Sequence, residues 1–249
     1  FAFTFEAMFM GVSPFAAPAF YSIITYTDHV QKISHPMGGM YRIPLALERM
    51  AKEYGVKFNY NTQVDRISAN GKVKISVKSQ QEELSFDKAV INADYSYAQS
   101  ELLNRDIPDY KYSCSVYLIY LGLNKKVPGA VHHSLFFSSD LNKNLDDIFE
   151  TGEVPQDPSF YLHVPTATDS SLAPDGKEIF YILVPVANLK KAKEDISSYE
   201  KSIRNTVFGK INKAFGINLE ELIEVEHKFY PRDFIDRYNI KFGATFGLA

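Results

Sequence analysis

The sequence predicts a mixed α+β fold in which helices cover one face of a sheet. The chain has 249 residues, of which 45% are hydrophobic and 23% charged, so it is long and apolar enough to bury a core. Strand-like apolar runs at 115–123, 160–164 and 179–186 predict the sheet. An apolar stripe at helical spacing over 197–215 predicts the covering helix, because such a stripe needs a partner surface.

The composition excludes several classes of protein. The 27 basic residues face 30 acidic ones, for a formal net charge of -3, so the chain is no polycation for nucleic acid. Its one cysteine excludes a disulfide scaffold and a multi-thiolate metal site. The six histidines never reach an H-x3-H or H-E-x-x-H spacing, so we assign no metal ligands. The 19 Phe and 16 Tyr suit large apolar surfaces and apolar ligands.

The opening segment, 7–27, carries no charge and is about as long as a membrane span. Gly11, Pro14 and Pro18 interrupt it and no basic residue anchors either end, which argues against a transmembrane helix. We predict a pair of short apolar helices broken near the two prolines. Two interpretations stay open. The helices are buried in the core, or they line an elongated apolar cavity or its membrane-facing mouth with Phe9, Phe15, Phe20 and Tyr21.

The middle of the chain mixes one helix with short strands. Apolar residues at helical spacing predict a helix from Met40 to Tyr54. Alternating apolar residues predict a strand at 56–60, and Asn70-Gly71 predicts a hairpin turn. The remaining predicted elements are strands near 64–67, 73–77 and 84–86, a polar turn at 80–83, and a short buried strand at 89–91 that runs into Asn92-Ala93-Asp94.

The rest of the chain alternates strands with helices. Asp140 is predicted to cap a short helix, and a capping-box pattern of Ser197 with Glu200 predicts the start of a longer one. Pro231 is suited to the first turn of a last short helix. Strands are predicted at 115–123, 134–137, 160–164, 179–186 and 225–229.

Three candidate reactive groups have a structural explanation. Cys114 lies among strand residues, where a buried thiol acts as a small hydrophobic group. His132 and His133 are adjacent in an extended segment, so their side chains should point to opposite faces and cannot share one metal ion. His163 lies within an apolar strand, which favours a satisfied core residue over a general base.

A series of short motifs follows in order along nearly the whole chain: Met37-Gly38-Gly39-Met40, Thr62-Gln63-Val64-Asp65-Arg66-Ile67, Val90-Ile91-Asn92-Ala93-Asp94, Tyr112-Ser113-Cys114-Ser115, Leu121-Gly122-Leu123, His132-His133, Asp157-Pro158-Ser159, Asp169-Ser170-Ser171-Leu172-Ala173-Pro174 and Phe242-Gly243-Ala244-Thr245-Phe246-Gly247. The ordered series resembles the middle of carotenoid desaturases, the bacterial-type phytoene and diapophytoene enzymes among the amine-oxidase-like flavoproteins. The chain starts without Met and has no G-x-G-x-x-G after any strand, so we expect a central fragment of such a protein.

The resemblance implies the central part of a two-domain flavoprotein. Apolar helices of the substrate domain would occupy 1–34, the central part of the FAD-binding domain 35–98, and the substrate-binding sheet and helices 99–249. FAD is expected in the intact protein. The absence of the glycine-rich fingerprint implies that this chain alone does not bind it, because that loop holds the diphosphate.

The same resemblance assigns cofactor contacts to three places. The main chain of Val64 matches the position that pairs with the edge of adenine, although a core valine fits this residue equally well. Asn92-Ala93-Asp94 would contact the cofactor at the end of a strand, or close that strand as an Asx-type turn. Gly38-Gly39 would allow close backbone approach or anion contact, or simply form the turn that enters the helix.

The implied activity is desaturation of a phytoene- or diapophytoene-type polyene by hydride transfer to flavin. No catalytic residue is assigned to this chain, because the flavin carries the difficult chemistry. The enzyme would be cytoplasmic and peripheral to the membrane that holds its substrate, with the apolar opening segment exposed or hidden by self-association. A carotene isomerase or another polyprenoid-acting flavoprotein would share the scaffold. Outside enzymes, the alternative is an apolar-ligand carrier or interaction domain.

Overall fold

Two antiparallel sheets and a set of mostly short helices build the structure, a computed structural model that describes residues 11–70, 72–77 and 80–249. The predictions for Phe9 and Gly71 lie outside the described residues. The α-helices are α1 Ser22–Tyr26, α2 Arg42–Glu53, α3 Tyr95–Tyr97, α4 Leu141–Asp146, α5 Ile196–Phe215 and α6 Pro231–Tyr238. The strands are β1 Val64–Asn70, β2 Lys72–Val77, β3 Gln80–Phe86, β4 Ser115–Leu123, β5 His133–Phe136, β6 Phe160–His163, β7 Glu178–Val186 and β8 Ile223–Phe229.

The larger sheet has the strand order β5-β6-β7-β4-β8, and every neighbouring pair is antiparallel. Its centre is the β4–β7 pair, which stays in register from Ser115 opposite Val186 to Leu123 opposite Glu178. The prediction that the three long apolar runs share one sheet is therefore confirmed.

Helix α5 covers one face of this sheet, as predicted. Ile203, Val207 and Ile211 of the helix pack with the β4 residues Ile119 and Leu121 in one buried cluster. All of these side chains are almost fully removed from water, which is the main stabilising contribution of the helix.

The start of α5 differs from the predicted capping box. The helix begins at Ile196, and Asp195 is its N-cap residue. The Asp195 carboxylate accepts hydrogen bonds from the Ser197 backbone N–H and from the Ser197 hydroxyl. Aspartate is among the preferred N-cap residues, so it takes the role that the pattern assigned to Ser197.

The opposite face of the larger sheet is covered at one end only. Val116 and Leu118 of β4 form a second cluster with Phe229 and with Phe234 of α6. Phe246 also packs there, close to the end of the described chain. The remaining part of this face is free of a covering helix among the described residues, and it forms part of the candidate site described below.

The smaller sheet has the order β1-β2-β3. Its inward residues Ile67 and Val77 are buried. The segment predicted as a polar turn at 80–83 instead begins β3, where Glu83 is paired with Ser76 of β2. Pairing with β2 gives this polar segment its backbone hydrogen bonds, and these override its turn-like composition.

Two predicted strands of the middle region are absent from the structure. Residues 56–60 and 89–91 are irregular, and Val90 is 96% exposed. A strand needs a neighbour that pairs with its N–H and C=O groups, and within the described chain nothing pairs with either segment. Helix α2 matches its prediction, but its apolar residues Ile43, Leu47 and Met50 are exposed as well.

Among the described residues of the opening segment, one helical run follows Pro18, and the helix predicted before Pro14 lies largely outside the described residues. After Pro18, a 3-10 turn at Ala19–Tyr21 continues into α1 and then into a π-helical turn at Thr27–Gln31. The residues between Pro14 and Pro18 form turns, because each proline removes a backbone donor and restricts the residue before it. None of the described helices combines the length and apolar character that crossing a bilayer requires.

We expect the packing of α5 on the sheet to dominate stability. Ile211→Ala should lower the free energy of unfolding by about 2–5 kcal/mol, because it empties a fully buried site. Ser202→Ala, on the exposed side of the same helix, should change it by less than about 0.5 kcal/mol. Urea unfolding followed by circular dichroism measures both, and equal losses for the two variants would contradict this core.

Candidate functional site

A row of aromatic side chains crosses the open part of the larger sheet. The strand register places His133 opposite His163, His163 opposite Tyr181, Tyr181 opposite Tyr120, and Tyr120 opposite His227. Each of the five strands thus contributes one ring. We call these five residues the aromatic row.

The strand alternation explains why the row faces away from α5. Side chains at successive strand positions point to opposite faces, and Ile119 and Leu121, on either side of Tyr120, enter the α5 core. The rings of Tyr120 and Tyr181 lie 5.1 Å apart, and Tyr161 approaches Tyr181 to 6.3 Å. The row is thus a contiguous surface of partly exposed rings.

Four of the five rings in the row, those of His133, His163, Tyr181 and Tyr120, are uncharged near neutral pH. Burial raises the pKa values of Tyr120 and Tyr181 and raises that of the neighbouring Tyr161 to about 12, so these phenols keep their protons. Burial and the neighbouring histidines lower the pKa of His163 to about 4, and burial also lowers the pKa of His133. Such a surface suits an apolar or aromatic ligand better than an ionic one.

A cavity of about 520 Å³ lies beside the start of β4. The opening segment forms one wall, and Gly11 brings it into contact with the sheet. Gly11 has a positive φ of 71°, its carbonyl accepts from the Cys114 N–H, and a Cβ on it would lie only 2.5 Å from Ser113 Cβ. The other lining residues include Val12, Ala16, Tyr21, Tyr112, Ile148 and Phe149.

The residues that the sequence assigned to a substrate tunnel lie in different environments in the structure. Tyr21 lines the cavity. Phe15 and Phe20 are 65% and 67% exposed, and the Phe20 ring lies 4.6 Å from that of Tyr21. Phe9 is outside the described residues. The exposure of Phe15 and Phe20 argues against a fully buried segment, and the tunnel assignment stays a prediction.

Gly38 and Gly39 connect two distant parts of the chain. Both have φ values near +85°, which favour glycine. The Gly38 N–H donates to the carboxylate of Asp169, and the Gly39 N–H donates to the Pro36 carbonyl. A Cβ on Gly39 would meet Leu172 at 3.1 Å. The pair forms a turn that packs against the 169–172 segment, and both amides already have partners within the chain.

Val64 begins β1, an edge strand of the smaller sheet. On one side it pairs with Val77, and the other side of β1 has no strand partner among the described residues. An edge strand offers N–H and C=O groups that could hydrogen-bond an adenine-like ligand. Asp94 accepts from the Tyr97 N–H at 2.9 Å and caps α3, while Asn92 and Ala93 are exposed.

These positions together test whether the described residues fit FAD. The open edge at Val64 is compatible with an adenine contact. The amides of Gly38 and Gly39 cannot form a diphosphate cradle without losing their present partners. Among the described residues, the Val64 edge is thus compatible with one end of the cofactor, and the Gly38-Gly39 pair has no free amides for its diphosphate.

The prediction that the side chains of His132 and His133 point to opposite faces is wrong. Strand β5 begins at His133, so His132 lies before it and strand alternation does not apply between them. Their rings are 4.3 Å apart, and His163 stacks against both. Cys114, in contrast, is the buried thiol that the sequence predicted, and burial raises its pKa to about 12.

The aromatic row escaped the sequence prediction. Each ring stands at a single position of a different strand, and only the strand order and register bring the five together. The signal in the sequence was weak: aromatic residues occur at alternate positions in 161–163 and between the apolar residues of 119–121 and 180–182.

The sequence and fold have known counterparts. The family model described as flavin containing amine oxidoreductase matches residues 1–233. The chain belongs to this family. The mixed helices and antiparallel sheets also match an oxidoreductase from Methanosarcina mazei with a TM-score of 0.62 at 17% identity, over 92% of this chain and 51% of that one.

Curated relatives in this family are carotenoid desaturases by name. The chain is 39% identical over its whole length to the zeta-carotene-forming phytoene desaturase of Myxococcus xanthus, covering 49% of that protein. It is 32% identical over 98% of its length to a 4,4'-diapophytoene desaturase of Staphylococcus haemolyticus, covering 52% of it. The chain thus spans about half the length of the curated relatives that it matches.

We expect Asp169 to hold the Gly38-Gly39 turn in place. Asp169→Ala removes the acceptor of the Gly38 N–H, so trypsin should cleave after Lys32 and Arg42 several-fold faster than in the unmodified protein. Asp146→Ala removes an exposed carboxylate on α4 and serves as the matched control. Mass spectrometry of timed digests locates the cuts. Equal cleavage in the two variants would show that this contact does not anchor the turn.

Proposed function

We propose that the intact protein containing this chain is an FAD-dependent carotenoid desaturase acting on a phytoene- or diapophytoene-type polyene. The observation that carries the proposal is the similarity of the whole chain to phytoene and diapophytoene desaturases. Both relatives are roughly twice as long, so the activity belongs to the full-length protein.

The geometry of the described residues agrees with an apolar, elongated substrate. The aromatic row places rings across the width of the sheet, four of them without charge near neutral pH, and the cavity beside β4 adds a partly apolar wall that includes Tyr21. Flavin, when bound, supplies the hydride acceptor. The part of these residues is to bind and orient the polyene and to exclude water from it.

The cofactor would be shared between this chain and other residues. Val64 would pair through its main chain with adenine, and Asn92-Ala93-Asp94 would contact the cofactor near α3. Gly38-Gly39 would approach it only through atoms other than the two amides that are already hydrogen-bonded.

The intact enzyme would lie on a membrane surface in the cytoplasm, because a polyene of this kind dissolves in lipid and not in water. Exposed apolar side chains of the opening segment support this placement: Phe15, Phe20, Ile23, Tyr26 and Val30. Large exposed apolar side chains that are close together in the sequence are a feature of membrane or protein contacts. We propose that they form the membrane-facing mouth of the substrate path.

Pigment analysis tests the proposed activity. Cells that accumulate phytoene or diapophytoene and express the intact protein should produce coloured polyenes with more conjugated double bonds. A carotene isomerase would change only the geometry of the double bonds, and a carrier would leave the polyene unchanged. Either of these outcomes, with folded flavin-loaded protein present, would overturn the proposal.

If Phe15 and Phe20 lie at a membrane-facing mouth, replacing them should lower turnover without unfolding the protein. Replacing Phe15 and Phe20 by Ser should leave FAD content unchanged and lower turnover about tenfold or more, because both side chains are exposed in the structure and each would contribute about 1.5–3 kcal/mol on entering the lipid. Tyr238→Ser, an exposed aromatic of α6, is the matched control. Turnover and flavin absorbance measure the two effects, and unfolding of the double variant would show that these residues belong to the core.

The chain expressed alone should be colourless and without stoichiometric FAD. The described residues offer an adenine edge but no free pair of glycine amides for the diphosphate, the most charged part of the cofactor. The absorption spectrum of the purified chain after incubation with FAD and gel filtration measures this. A flavin band in equimolar amount would contradict the expectation.

A further inference from the structure

Three histidines converge at one end of the aromatic row. His132 lies in the loop before β5, His133 begins β5, and His163 ends β6. One ring nitrogen from each of the three lies within 4.8 Å of the others. The register of the aromatic row brings His133 and His163 together, but it does not explain why His132, which lies before β5, joins them.

The spacing is close to that of metal ligands. The Nε2 atoms of His132 and His163 are 2.9 Å apart. Two imidazole nitrogens bound to one tetrahedral Zn²⁺ at 2.0–2.1 Å are separated by about 3.3 Å. His163 is stacked on both other rings, so the three rings would have to turn about their side-chain bonds to direct their lone pairs at one ion.

The Nδ1 atoms of two of the rings are hydrogen-bonded to hydroxyl groups of the chain. His132 Nδ1 is hydrogen-bonded to the Thr168 hydroxyl, and His133 Nδ1 lies 2.6 Å from the Tyr161 hydroxyl. When Nδ1 carries the proton and donates it to a hydroxyl, Nε2 keeps its lone pair for a metal. These contacts also fix the orientation of each ring.

The two Nε2 atoms of His132 and His163 share one proton in the structure. With Nδ1–H of His132 donating to the Thr168 hydroxyl, that proton belongs to His163, and it would move to Nδ1 of His163 when a metal binds.

A fourth histidine provides an independent observation. His35 Nε2 is buried and has no hydrogen-bond partner, and its ring packs at 5.0 Å against that of His132. A buried polar nitrogen without a partner costs free energy. A metal ion, or a water molecule on it, next to His132 would give this nitrogen a partner.

We propose that His132, His133 and His163 form a binding site for one divalent transition-metal ion of the Zn²⁺ class. Three imidazole ligands suit such ions better than Mg²⁺ or Ca²⁺, which prefer oxygen. The site would join the loop before β5 to the end of β6.

Metal binding by the intact, tag-free protein tests the site. Equilibrium dialysis against Zn²⁺ alone should give one ion per chain, and Co²⁺ should give the visible absorption band of a tetrahedral nitrogen-rich site. His132→Gln and His163→Gln should each weaken Zn²⁺ binding by about 100-fold or more, since loss of even an outer partner costs 10–100-fold. His227→Gln, an exposed histidine at the other end of the row, should bind as the unmodified protein does.

Control measurements distinguish loss of the metal site from loss of the fold. Circular dichroism checks that each variant is folded. If His163→Gln does not fold, His132→Gln decides, because that ring lies in a loop and is only partly buried. Absence of stoichiometric Zn²⁺ in the unmodified protein, or equal affinity in His132→Gln, would overturn the site. Loss of binding in His227→Gln would also overturn it, because that residue lies outside the cluster.

Discussion

Strand β4 is the element on which the rest of the structure depends. It pairs along its whole length with β7 on one side and from Leu118 to Leu123 with β8 on the other, so it is a central strand of the sheet. Its alternating side chains then divide between two environments. Tyr117, Ile119 and Leu121 are sealed under α5, while Tyr120 remains on the open face. One register thus fixes both the core and the aromatic row.

The start of β4 also fixes the position of the opening segment. Cys114 donates its N–H to the Gly11 carbonyl, and its own carbonyl accepts from the Thr245 N–H. Ser113 donates to the Gly247 carbonyl. The opening segment and the last described residues therefore meet at the same place, which closes one wall of the cavity. A side chain at Gly11 would collide with Ser113 and Phe246 and would separate these elements.

The sequence predicted the structure best where the apolar residues of one segment pack against those of another. The runs that became β4 and β7 and the stripe of α5 cover one another, so their bounds were predicted within one residue. The strand predictions at 56–60 and 89–91 were wrong, because these apolar segments have no partner strand in the described chain. The aromatic row and the histidine cluster depend on strand register and loop position, which no local pattern encodes. Gly38-Gly39 was noticed, but its contact with Asp169 spans 131 positions and was beyond local reasoning.

We propose that the open face of the larger sheet presents a polyene to the flavin in the intact protein. The most direct measurement is the absorbance of flavin after anaerobic mixing of the FAD-loaded intact protein with phytoene or diapophytoene. We expect the oxidised flavin band to decrease as conjugated product forms. Tyr120→Ser should slow this decrease while FAD stays bound. A flavin that stays oxidised in the unmodified protein, or an unchanged rate in Tyr120→Ser, would contradict it.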